Sequence, residues 1–377
     1  MDFGFSEQQQ MLRTSARDFL AKECPTTKVR ELEESEKGYD PQMWHAMAEL
    51  GWMGLLFPDE YGGSAGNFMD LVVLMEEMGR SIAPSPFFST VCLSALPILQ
   101  FGSNEQKEHI LPKVAKGEEI LALALTEASM SLQPSNITSR ATSDGQDYLL
   151  EGTKFFVRDA AVANHLLVVA RTSDKEDPKD GITLFLVDAK SPGIEIEEIT
   201  TMAKEKHSAV TFNKTKVSKA NVIGQIDQGW PIVESIMQRA VILKCAEVVG
   251  SCQAVLDMTT QYAKDRIQFD RPIGSFQAIQ HRLASMLIDV EGTQFLVYQA
   301  ACSIEEGTPS DLQVSAAKAR ANEVFQKATL DGVQIHGAIG FTRDHDIGLY
   351  YRRVKAAEFA LGDADYHRER IAVDLGL

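Results

Sequence analysis

Side chains in a few short runs have the types and spacing to do chemistry. Glu247 stands inside "KCAEVVGSC", a mostly apolar stretch. Burial among such neighbours disfavours the charged form, raises a carboxyl pKa and suits the group to take a proton. The plainer alternative is an i, i+3 ion pair with Lys244. In "DRIQF" the guanidinium of Arg266 can fork onto phosphate oxygens, and Phe269 can cover an apolar ring. A surface Arg at a helix end beside a core Phe would look the same. In "QIHGAIGF", Gln334 offers an amide, while glycines 337 and 340 allow close backbone approach to a ligand or merely a tight turn. His336 has no visible partner there and reads as a packing residue. The five cysteines (24, 92, 245, 252, 302) are scattered and form no CxxC pair. A metal site and a disulfide framework are therefore not expected, and a reducing compartment is.

The elements that must carry these groups change character along the chain. Residues 1–117 read as helices: "FSEQQQMLRTSARDFLAKEC" is periodic after a Ser that can cap, and "PQMWHAMAELGWMGLLF" starts on a Pro. Its many Met and Phe residues suit a core. From 118 to 227 short β-rich runs follow one another: "YLLEGTKFFVRD", "NHLLVVART", "GITLFLVDA", "IEIEEI" and "AVTFNKTKV". They predict a meander closed as a barrel or sandwich. From 228 to 377 long helical patterns return. The first could run about 35 residues, roughly 50 Å, and a set of about four suits a bundle with oligomer contacts. The charge runs "ESEKG" and "SDKEDPKD" read as solvated loops.

A formal net charge of −16 disfavours nucleic acid and anionic membrane as partners. No apolar run approaches spanning length, and the polar start has no apolar core of signal type, so a cytoplasmic location without membrane insertion is expected.

Five segments in order make the pattern specific: "LGWMGLLFPDEYGG", "LALALTEAS", "GTKFFV", "YAKDRIQFDRPIGSFQAIQHRLASM" and "QIHGAIGFTRDHDIGLYYRR". Together they resemble the acyl-CoA dehydrogenase family of FAD flavoproteins over essentially the whole chain. The resemblance implies an α+β multidomain fold with an N-terminal helical domain, a middle β domain and a C-terminal four-helix bundle. It implies FAD, an acyl-CoA substrate of a degradative or β-oxidation pathway, and an electron-transferring flavoprotein as partner. It implies a tetramer, either homomeric or α2β2. In the family reaction a carboxylate removes the α-proton while a hydride moves from the β-carbon to flavin N5.

Residue by residue, the resemblance places Arg266 and Phe269 on the FAD diphosphate and adenine across a dimer. Gln277 would join the same surface, and Gln334 and Gly337 would meet the ADP half. Thr126 matches a flavin-edge threonine, and Phe156 an aromatic lying against the flavin. Arg158 falls where a threonine commonly bonds flavin N5. There a guanidinium could stabilise reduced flavin or fill the pocket. Asp363 points to the adenine side.

The chain also departs from the family. "TEASMSLQP" has Leu132 where a diphosphate-binding serine is expected and Gln133 where an aspartate is common. A leucine side chain cannot donate to phosphate. The family's usual base position aligns with Leu361, and that of a second branch with Ala240. Glu247 lies seven residues beyond Ala240, two helical turns along nearly one face, and is the leading substitute base. Two readings follow: an FAD-dependent acyl-CoA dehydrogenase with an unusual base, or a non-catalytic partner in a heteromeric dehydrogenase that lends ADP-side contacts to a sister chain.

Overall fold

The structure, a computed structural model, describes residues 4–377. The helices and strands before residue 160 are α1 (Glu7–Glu23), α2 (Thr26–Glu34), α3 (Pro41–Glu49), α4 (Phe68–Arg80), α5 (Leu96–Phe101), α6 (Asn104–Ala115), β1 (Leu121–Ala124), β2 (Arg140–Asp144) and β3 (Asp147–Arg158). Then come β4 (His165–Arg171), β5 (Ile182–Asp188), β6 (Ile194–Ile199), β7 (His207–Ser218), β8 (Val222–Ile223), α7 (Trp230–Asp265), β9 (Ile267–Gln268) and β10 (Arg271–Pro272). Four helices end the chain: α8 (Gln277–Glu305), α9 (Asp311–His336), α10 (Ile347–Phe359) and α11 (Ala364–Asp374). The helix starts follow local chemistry. Ser6 with Gln9, Asn67 with Asp70 and Ser103 with Gln106 form reciprocal capping boxes for α1, α4 and α6.

The chain packs as two compact units. The first gathers residues 4–31, 67–83 and 241–377, and it is helical. Its helices approach closely where α4 meets α7. A Cβ on Gly79 would lie 1.9 Å from the Glu247 carbonyl oxygen, and one on Gly250 would lie 1.8 Å from that of Glu76. Two glycines are what permit this crossing. The middle of α8 keeps an apolar stripe in solvent, with Leu287, Ile288 and Phe295 at 41, 70 and 50% exposure.

The second unit gathers residues 32–66 and 84–240 around an eight-stranded sheet. All five runs expected as strands are strands. The order is not a meander, however. It reads β6-β7-β3-β2-β4-β5-β8, with β1 pairing β4 in parallel, Leu121 opposite His165. Of the sequential neighbours only β2–β3, β4–β5 and β6–β7 pair as antiparallel hairpins. The chain turns off β3 at Asp159, whose φ is +58°, so β4 returns beside β1 instead of β3. Leu150, Leu166, Val168, Phe185, Val210 and Phe212 fill the core on one side of the sheet. Met43, Met47, Met53 and Phe57 are buried, as core residues should be. "SDKEDPKD" is an exposed loop. Among the described residues no helix is long and apolar enough to cross a membrane.

Candidate functional site

In the sheet unit, the segment after β1 carries Thr126 and is fastened to β3 by a buried ion pair. Lys154 Nζ donates to Glu127 Oε1 at 2.6 Å, with the two side chains 0 and 6% exposed. Glu127 also accepts from the Thr138 and Ser139 amides at 2.9 and 3.0 Å. Burial pushes its carboxyl up, but the Lys154 charge, Thr138 and Ser139 outweigh this and hold it at about 2. The Thr126 carbonyl accepts from Phe155 N at 2.8 Å, which sets Thr126 beside the strand carrying Phe156 and Arg158. The pairing of β3 with β7 slips between Lys154 and Val157, and Phe156 adopts φ +52° with its ring 43% exposed. The bulge turns that ring out of the sheet.

Beyond Thr126 the loop satisfies itself. The Ser131 amide donates to Ser129 Oγ at 3.4 Å and the Gln133 amide to Ser131 Oγ at 3.2 Å. Two backbone donors of this loop are thus engaged by local hydroxyls, and the Leu132 side chain adds no donor. Arg158 is engaged as well. It donates to Glu205 at 2.9 Å and lies 3.6 Å from Asp159, with its side chain 16% exposed. Asp159 in turn accepts from Ser89 Oγ at 2.6 Å. Burial pushes the Asp159 carboxyl up despite Arg158, and burial pushes the His207 imidazole down despite Glu205. The guanidinium is thus held inside a charge cluster that includes Glu205, a residue the sequence did not single out.

In the helical unit the other expected residues collect at two helix ends. Arg266 follows α7, and Phe269 sits at the tip of the β9–β10 ribbon with φ +54° and 85% exposure. Gln277 is the exposed first residue of α8. Gln334 is exposed on the last turn of α9, and Gly337 ends that helix at φ +64° with nothing within 4 Å of where a Cβ would stand. Tyr262 joins the two ends. Its hydroxyl donates to the His336 carbonyl at 3.2 Å, and its ring stacks on the His336 ring at 4.4 Å. His336 is 3% exposed, a packing residue as expected. Among the described residues neither the Arg266 guanidinium nor the Gln334 amide has a protein partner.

The two positions that the resemblance aligns with the family's base are apolar. Ala240 is fully buried in α7. Leu361 sits in the turn between α10 and α11 at φ +61°. Asp363 serves as the N-cap of α11, accepting from Tyr366 N at 2.8 Å. Glu247 forms the i, i+3 pair: Lys244 Nζ donates to it at 2.6 Å, and the carboxylate is 25% exposed. Its charge already has a partner, which is the plainer of the two readings the sequence offered.

Comparison with known proteins now decides the family. Models of the N-terminal, middle and C-terminal domains of acyl-CoA dehydrogenase match residues 6–118, 122–215 and 227–376. The chain belongs to the acyl-CoA dehydrogenase family. A caffeyl-CoA reductase–Etf complex subunit of Acetobacterium woodii is 32% identical over 359 residues, 92% of this chain and 93% of that one. Butyryl-CoA dehydrogenase from Megasphaera elsdenii superposes with a TM-score of 0.93 at 29% identity, covering 100% of both chains. A chain of the ChsE4–ChsE5 complex from Mycobacterium tuberculosis gives 0.91 at 31% identity, over 100% of this chain and 99% of that one. The acyl-CoA dehydrogenase fold, FAD as cofactor and oxidoreductase chemistry on CH–CH bonds go with membership.

Proposed function

We propose that this acyl-CoA dehydrogenase family chain acts as the partner subunit of a heteromeric, α2β2 enzyme. It lends its ADP-side surface to FAD seated in a sister chain that carries out α,β-dehydrogenation of an acyl-CoA. The observation that carries the proposal is Leu361, a side chain unable to take a proton at the family's base position. The self-capped loop at 129–133 and the engaged Arg158 support it from the flavin side. On the ADP side the residues fit the cofactor. Arg266 presents free donors for a diphosphate, Phe269 an uncovered ring for adenine, Gln334 an amide, and Gly337 a backbone without a side chain that a ligand can approach closely, its own N–H being bonded within the helix end. Bound FAD supplies the hydride acceptor at N5. The similarity to the ChsE4–ChsE5 complex supports a heteromer, and the similarity to a reductase–Etf subunit supports an electron-transferring flavoprotein as electron partner. The apolar stripe on α8 supplies a surface for assembly.

A second reading keeps one observation in its favour: Glu247 is a partly exposed carboxylate and could serve as base in a self-sufficient enzyme. FAD content separates the two. The chain purified alone and the chain co-expressed with a related, co-encoded chain are each assayed for FAD per polypeptide by flavin absorbance. We expect a colourless chain alone and one FAD per pair in the complex. One FAD per chain in the isolated protein would refute the partner reading.

A further inference from the structure

One face of α9 grips the last turn of α10 just before Leu361, and through His367 of α11 it also reaches Leu361 itself, in each case through main-chain oxygens. Ser315, Lys318 and Asn322 lie at i, i+3 and i+7, so they line one stripe of that helix. Lys318, fully buried, donates from Nζ to the Ala357 carbonyl at 2.7 Å and to Asn322 Oδ1 at 2.7 Å. Asn322 Nδ2 donates to the Glu358 carbonyl at 3.2 Å. The buried ring of His367 completes the grip. Its Nε2 donates to the Leu361 carbonyl at 2.9 Å, which leaves Nδ1 to accept from Ser315 Oγ at 3.2 Å. A lysine at the carbonyl end of α10 also opposes that helix's negative pole.

We propose that Ser315, acting through His367, and Lys318 with Asn322, acting through the last turn of α10, are positioning residues for position 361. None of these bonds involves the side chain at 361. These bonds can therefore persist whichever residue occupies that position, and the chain retains the seat of the missing base while lacking the base. The functional meaning of the seat rests on the partner-subunit reading, but the clamp itself does not.

The clamp is tested by amide hydrogen exchange read by mass spectrometry on the chain as purified. Lys318→Met should speed exchange across 357–363 about tenfold or more, since bonds from a buried charge to the backbone are lost. Asn322→Ala and Ser315→Ala should give smaller rises confined to 358–361. Unchanged exchange there, or an even rise over the whole helical unit, overturns the clamp. A second measurement reads the seat. In Leu361→Glu the new carboxylate would take the α-proton of butyryl-CoA, leaving the C–H electron pair as an enolate that recaptures a deuteron from D2O. We expect gain of α-deuterium in Leu361→Glu and at least a tenfold lower rate, at unchanged KM, in Leu361→Glu/Lys318→Met. No gain in Leu361→Glu, or a gain indifferent to Lys318, overturns the seat. FAD stoichiometry is not read in either arm, so failure here and failure of the partner reading remain distinct.

Discussion

Removing either member of the buried Lys154–Glu127 pair should destabilise the sheet unit, but by unequal amounts. The asymmetry follows from who else each partner touches. Without Lys154, Glu127 still accepts from the Thr138 amide at 2.9 Å, the Ser139 amide at 3.0 Å and the Thr138 hydroxyl. Lys154→Met therefore leaves a solvated-like carboxylate and should cost about 2 kcal/mol. In Glu127→Gln the fully buried ammonium keeps the Leu125 carbonyl at 3.2 Å and a neutral amide oxygen, but no counter-charge. Glu127→Gln leaves a buried charge uncompensated and should cost about 3–5 kcal/mol. The double variant buries no charge and should fall below the sum of the singles by about 1–3 kcal/mol. Trp44, Trp52 and Trp230 all lie buried in this unit, so tryptophan fluorescence in a urea titration reports its unfolding selectively. Equal costs for the two single variants, or strict additivity in the double, would refute the reasoning. The pair also has a pH signature. A carboxyl held at about 2 contributes stability that is present above its ordinary value and lost as pH falls from about 4.5 toward 2. Glu127→Gln should abolish that loss.

Other outcomes follow from the same geometry. Arg266 is exposed and unpartnered among the described residues, so Arg266→Ala should change stability by less than about 0.5 kcal/mol yet lower the FAD retained by the complex in gel filtration. Glu247→Gln in the complex should leave acyl-CoA α-proton exchange in D2O unchanged, because the partner-subunit proposal puts the base in the sister chain. Loss of exchange would favour the self-sufficient enzyme. Burial, with the Lys318 and Arg370 charges, drives the His367 imidazole down to about 4 despite its bond to Leu361. An unfolded histidine binds its proton near pH 6.5, so between about 6.5 and 4 the unfolded state holds more protons and stability rises with pH. Acidifying through that window should cost the helical unit up to about 3 kcal/mol, read as falling melting temperature, and His367→Gln should flatten the dependence.

What the sequence made legible was periodicity and motif. The switch from helical to alternating patterns marked where the sheet begins. "DRIQF" and "QIHGAIGF" located groups that the fold leaves exposed and unpartnered at two joined helix ends. What it hid were relations between distant segments. Strand order depends on where β1 enters and on the turn at Asp159, which local patterns do not encode. Glu205 reaches Arg158 from 47 positions away, so "KFFVRD" alone could not show that its guanidinium is held. Lys154 carried a local signal, a cation among apolar strand neighbours in "GTKFFV". That signal calls for a buried carboxylate, and Glu127 supplies it.

The two faces of the expected cofactor site therefore differ in kind as well as in sequence. On the flavin side, each departure is accompanied by a local arrangement that satisfies it: Ser129 and Ser131 cap the loop beside Leu132, and Glu205 neutralises Arg158. A polar group so satisfied gains little by turning to a ligand, because the bond it would make replaces one it already has. On the ADP side the Arg266 guanidinium and the Gln334 side-chain amide have no protein partner among the described residues, and binding would exchange only water for phosphate or adenine. The turn at Leu361 falls between these cases, since the clamp that holds it remains complete while its side chain has no proton to accept or give. Under the partner-subunit proposal, a chain built this way holds part of an FAD and keeps the shape of a catalytic subunit, while the proton transfer falls to its sister.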